Sequence, residues 1–147
     1  MRFAGYAALF GRPDRGGDVV RAGAFARSLT RGAGAVPLLW QHEAGRPIGR
    51  IEHLKEDKRG LRVIARLSES AAGREAAALL GEGAVTGLSF GYRVRRARPS
   101  TGSGRAEADA GSGRAEGLRE LVDLDLVEIS LVTLPMQPKA RVHALSR

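Results

Sequence analysis

The chain reads as a mainly β domain with a few short helices: strands that close, or nearly close, a β-barrel surrounded by helices. Three observations lead there. Apolar runs are numerous, short and rich in Val, Ile, Leu and aromatic residues, and most end in turn formers. Across residues 61–67, Leu61, Val63, Ala65 and Leu67 alternate with Arg62, Ile64 and Arg66, the period of two that marks a strand with one largely solvated face. Helix signals are confined to two short segments. A chain of many strands and little helix manages its sheet edges best by closure.

The first strand is read at 3–10, where Phe3, Tyr6 and Phe10 stand among Ala and Leu, and it stops at the turn-forming run 11–18. Val19 and Val20 make a short strand. Residues 23–29 suit a short helix closed by Gly32 or Gly34. Residues 36–42 form the second clear strand. Residues 47–55 and 61–67 read as a hairpin about the charged turn 56–60. Ser70 is placed to cap a helix over 71–80, with Gly81 or Gly83 as its stop. Residues 85–94 are a further strand, and 118–134 one or two strands with a bend near the acidic residues. Between 95 and 117 the apolar signal vanishes, and Gly-Ser-Gly-Arg-Ala-Glu occurs at 102–107 and again at 111–116. Such a composition cannot bury enough surface to offset its ordering entropy, so 96–117 is expected to be a disordered surface insertion. Residues 1–138 are read as one domain and 139–147 as a mobile tail.

Composition narrows the function. A chain of 147 residues, 43% hydrophobic and 27% charged, suits one soluble domain with a sizeable core. No run reaches the apolar length that spans a bilayer, and the N-terminal residues lack the apolar core of a signal peptide, so a cytoplasmic location without membrane contact is expected. The absence of cysteine excludes disulfides, thiolate metal sites and cysteine nucleophiles. Three histidines without metal-type spacing predict neither a metal nor another cofactor. The net charge of +8 is carried almost wholly by arginine: Lys55, Lys58 and Lys139 are the only lysines among 24 basic residues. Abundant Arg, Ala and Gly match the codon bias of a GC-rich genome, the basic residues are scattered, and only seven aromatics are present. Nucleic acid is therefore not expected as the main partner.

Three short strand-like runs carry the chemistry. His42 ends Leu38-Leu39-Trp40-Gln41-His42, just before a turn-rich segment, where sites are commonly built, and imidazole is the side chain best matched to general-base work near neutral pH. Ser89 lies in Gly87-Leu88-Ser89-Phe90-Gly91-Tyr92, with glycines that let other backbone approach. These are the letters of a nucleophile elbow, but Tyr92-Arg93-Val94 continues as strand where an elbow would turn into a helix. Glu128 sits in Leu126-Val127-Glu128-Ile129-Ser130, where a carboxylate needs a partner. Strand alternation puts Glu128 on one face with Leu124, Leu126 and Ser130, and Asp123 and Asp125 on the other; a bulge would make Asp125 the alternative acid. Taken alone, a strand-end histidine, a buried strand serine and an arginine-paired glutamate are the ordinary readings. His53 lies in a charged stretch and is read as a solvated surface residue. His143 falls in the tail.

These three segments, in this order, resemble those of the tailed-phage prohead (procapsid maturation) serine proteases. Gly5-Tyr6-Ala7, Gly17-Asp18-Val19-Val20, Gly23-Ala24-Phe25, Pro47-Ile48-Gly49 and Thr133-Leu134-Pro135 fit as well. The resemblance implies a fold like that of the herpesvirus assembly proteases. It implies a serine endopeptidase with Ser89 as nucleophile, His42 as base and Glu128 as the orienting acid, in a position where the herpesvirus enzymes use a second histidine. Oxyanion donors would be backbone N–H groups. The implied substrates are scaffold segments and N-terminal segments of the major capsid protein, with self-cleavage, inside an assembling procapsid in the producing cell; a homo-oligomer is compatible with it. A phage, a prophage and a gene transfer agent are equally served. The rival from another class is a non-catalytic capsid-assembly or scaffold-binding barrel, which retention of both His42 and Ser89 argues against.

Overall fold

The computed structural model describes residues 1–99 and 119–147. Strands β1 (Arg2–Leu9), β2 (Asp18–Val20), β3 (Pro37–Trp40), β4 (Glu43–Glu56), β5 (Gly60–Leu67), β6 (Gly87–Pro99), β7 (Arg119–Val132) and β8 (Val142–Ser146) form one mixed sheet. Its order is β2-β7-β3-β4-β5-β1-β8, with β6 on the other edge of β7. Helix α1 (Ala26–Leu29) packs on β7 and β4, and α2 (Ala71–Gly81) on β4 and β5. The ends of the sheet meet. Leu88 N–H donates to Ala140 O at 2.9 Å and Val142 N–H to Thr86 O at 2.9 Å, so the start of β6 is stitched to the chain entering β8. The sheet thereby curls toward a barrel around Phe3, Leu38, Ile48, Leu61, Val63, Leu88, Ile129 and Leu131, all buried.

Local chemistry explains most boundaries. Ser70 caps α2, its hydroxyl accepting from Gly73 N–H at 3.1 Å, and Ala76 and Leu80 turn inward. Helix α1 is shorter than the 23–29 expected from sequence, because Gly23 adopts φ +92°, outside the helical region. The turn before it is instead tied by the Glu56 carboxylate, which accepts from Gly23 and Phe25 N–H.

Two expectations at the sequence level are corrected. Strand β6 runs on through Arg96, Ala97, Arg98 and Pro99, all paired with β7, so the insertion begins later than 96. Arg98, bound to Glu120 at 2.8 Å, shows why: ion pairs between β6 and β7 sustain a ladder whose polar outer residues give no apolar signal. The expected disorder and the doubled repeat lie outside the described residues. The tail is not free either. Residues 142–146 pair with β1, and the Gln137 side chain, buried, brackets Leu9 by accepting from its N–H and donating to its carbonyl.

Candidate active site

β7 is the axis of the site. One edge pairs in parallel with β3, the other antiparallel with β6, so the histidine, serine and glutamate segments become neighbours although far apart in sequence. Ser89 lies directly opposite Ser130, and Gly91 opposite Glu128. Residues opposite one another share a face of the sheet, with Cβ atoms about 5 Å apart. Ser89, Glu128 and Ser130 therefore point to one side, and all three are buried.

A bulge does occur in β7, at Val127: Gly91 pairs with Glu128 but Tyr92 with Leu126. It shifts the phase of the strand: Leu124 and Leu126, opposite Val94 and Tyr92, lie with Ile129 on the core face, while Glu128 and Ser130 share the other, so the plain alternation that grouped Glu128 with Leu124 and Leu126 is corrected. Asp125 falls on the Glu128 side, opposite Arg93, but its carboxylate is bound to Arg95 at 3.4 Å and it is Glu128 that holds His42.

His42 is not the last residue of a strand. β3 ends at Trp40, which pairs with Glu43, leaving Gln41 and His42 as a two-residue hairpin turn. Both have positive φ, 50° and 64°, as a tight hairpin of this length favours. Asn-Gly would adopt this freely; each larger L-residue costs about 1–2 kcal/mol. The strain is offset by bonds to β7 and to Thr133 just after it. Gln41 N–H donates to Leu131 O at 2.9 Å, and the Gln41 side chain accepts from Thr133 N–H at 3.2 Å. His42 N–H donates to Ser130 Oγ at 3.0 Å.

This turn aims the imidazole at Glu128. Nδ1 lies 2.5 Å from Oε2, closer than an ordinary N–H···O bond, and the other carboxylate oxygen accepts from Ser130 Oγ at 2.7 Å. The Glu128 bond raises the His42 pKa above its ordinary value against the opposing effect of desolvation. With Nδ1–H held by Glu128, the lone pair of Nε2 is free to take a proton. Ser89 Oγ makes no hydrogen bond within the described residues, to His42 or to any other group. It is not sealed off: among the described residues, the one enclosed side-chain polar atom without a partner is Arg62 Nε. The hydroxyl is therefore not fully enclosed, although the residue is buried.

The glycines beside Ser89 serve the protein's own groups. A Cβ on Gly91 would overlap Glu128 Oε2, and one on Gly87 would meet Val132 O at 2.7 Å and the Pro135 ring at 2.8 Å. His53 is exposed, as expected. His143 lies in β8 against Tyr6, ring centroids 5.9 Å apart. A cavity of about 770 Å³ begins just downstream of His42, at Gly45, Arg46 and Pro47, and extends to Ser70 and Ala71, but takes in none of His42, Ser89 and Glu128. Among the described residues, no group of three or more His, Asp or Glu is placed to hold a metal ion, and no helix is long and apolar enough to cross a membrane.

The profile of the caudovirus prohead serine proteases matches residues 1–147. The chain belongs to that family. The prohead protease of Enterobacteria phage HK97 is 32% identical over 96 residues, 64% of this chain and 43% of that protein, so the chain spans under half of that relative. The fold of this prohead protease family member is similar to that of solved viral proteases. It is similar to the bacteriophage T4 capsid assembly protease at TM-score 0.58 and 14% identity, over 89% of this chain and 80% of that one. Varicella-zoster virus protease gives TM-score 0.54 and 13% identity over 97% and 62%, and KSHV protease 0.56 and 13% over 96% and 63%.

Sequence reading missed three residues of the site. Ser130 was noticed beside Glu128 but given no role; its i+2 spacing on the same strand face was the available signal. Gln41 and the carboxylate-accommodating part of Gly91 depend on contacts across the sheet and left no local signature.

Proposed function

We propose that this prohead-protease family member is a serine endopeptidase of procapsid maturation. It would cleave scaffold and N-terminal capsid-protein segments, and itself, inside the assembling shell within the producing cell. The observation that carries the reading is the 2.5 Å His42–Glu128 bond, beside the strand pair that sets Ser89 across from Ser130.

In this mechanism Ser89 Oγ attacks the scissile carbonyl carbon while His42 Nε2 takes its proton. Glu128 holds the ring and stabilises the imidazolium. Backbone N–H groups receive the oxyanion. Collapse of the tetrahedral intermediate breaks the C–N bond, His42 returns the proton to the leaving amine, and water then hydrolyses the Ser89 ester by the same steps. No cofactor is required.

The test is labelling of Ser89 by a fluorophosphonate, together with co-expression with the cognate capsid protein read on a gel. Ser89→Ala and His42→Ala are each expected to abolish labelling and cleavage in a folded protein, because residues acting as one nucleophilic unit lose function non-additively. His53→Ala is expected to be silent. A wild-type protein that neither labels nor cleaves would return the chain to the non-catalytic assembly reading.

A further inference from the structure

Ser130 is fully buried, and a buried hydroxyl must be bonded. The choice of partners is informative. Its acceptor side is taken by His42 N–H at 3.0 Å and its single proton goes to Glu128 Oε1 at 2.7 Å. Glu128 Oε2 in turn holds His42 Nδ1. The bonds form a closed loop that leaves His42 by its backbone and returns to it by its ring. Each member has one direction open to it: the amide can only donate, the carboxylate only accepts, and Ser130 is set between them.

We infer that Ser130 is a positioning residue for the site: its hydroxyl locks the Glu128 carboxylate toward the imidazole and pins the left-handed backbone of His42 to β7. This rests on the assignment of His42, Glu128 and Ser89 as the catalytic set. Alanine would fit the same space without burying a polar atom of its own. It would, however, leave Glu128 Oε1 without its donor and His42 N–H without its acceptor, and neither has another partner within the described residues. The carboxylate would be free to rotate, and the strained turn would lose one of its tethers.

Ser28 supplies the control. It is another buried serine bonded to β7, its hydroxyl donating to Leu124 O at 3.3 Å and accepting from Leu126 N–H at 2.9 Å, and it makes no hydrogen bond to His42, Ser89, Glu128 or Ser130 within the described residues. Ser130→Ala and Ser28→Ala are compared in the full chain by melting temperature, by NMR titration of the His42 ring, and by the pH dependence of fluorophosphonate labelling at Ser89. Both variants are expected to melt earlier than wild type. Only Ser130→Ala is expected to move the His42 midpoint down toward the ordinary imidazole value, shift the acid limb of labelling the same way, and lower the plateau rate about tenfold or more, the scale on which outer supporting partners act. If Ser130→Ala resembles Ser28→Ala, with the His42 midpoint and labelling rate of wild type, the hydroxyl is structural and the inference fails. The NMR arm is independent of activity. A midpoint that moves only in Ser130→Ala, in a protein whose wild type does not label, would uphold the positioning role and overturn the protease reading instead.

Discussion

Gly91 shows how closely one residue can govern another's chemistry. Its backbone is unremarkable, but the Glu128 carboxylate lies where its Cβ would be. Gly91→Ala is therefore expected to displace Glu128 from His42 and cut Ser89 labelling about a hundredfold, the effect of an ångström-scale misplacement, with only a modest fall in melting temperature. Glu128→Gln keeps the shape and removes the charge; a loss on the order of 10⁴-fold is expected, as when a triad acid becomes an amide. Asp125→Asn is expected to retain nearly full labelling, because Asp125 is bound to Arg95 and makes no hydrogen bond to His42 within the described residues. The raised His42 pKa gives opposite pH trends. As the proposed base, His42 must be neutral, so labelling is expected to rise with pH through the raised value; Glu128→Gln should move that limb to lower pH. The stability gained from the same bond is complete below the ordinary imidazole pKa and is lost as pH rises through the raised one. A labelling limb in Glu128→Gln that stayed at the wild-type pH would contradict this. Glu128 was legible in the sequence because a carboxylate in an apolar alternating run needs a partner. Gly91 was legible only as an opening, since which group fills it is decided across the sheet.

Elements were legible where their signal is local. Ser70 and the run after it define α2 without help, and Ser70→Ala is expected to cost about 1 kcal/mol. That should appear as a melting shift of about 2–4 °C with labelling unchanged; a labelling defect would mean that α2 supports the site. The hairpin at Gln41 and His42 was not legible. The run from Leu38 to Trp40 continues into two residues with no turn preference, so a strand through His42 was the natural reading. What bends the chain there is not local propensity but hydrogen bonds from the Gln41 and His42 amides to β7 and between the Gln41 side chain and Thr133 just after it. Likewise β8 carries too little apolar pattern to announce itself and forms because β1 offers it an edge.

For the whole molecule, that last strand decides how the sheet ends. Residues 140–142 join the start of β6 to the β1 edge, and Gln137 anchors the approach. Truncation after Pro138 is expected to lower the melting temperature and promote association through the uncovered β1 edge, measured by calorimetry and light scattering. An unchanged, monomeric protein would show that the strand is dispensable. The order of the site along the chain has a further consequence. The bonds that assemble it span 86 and 88 residues, and β7 contributes to all of them. A chain growing on the ribosome holds its histidine and serine long before their common support exists. On the proposed assignment, the nascent polypeptide is expected to stay chemically inert until β7 has been synthesised and inserted between β3 and β6, so that neither its own unfolded segments nor its neighbours' would meet a half-built hydrolase.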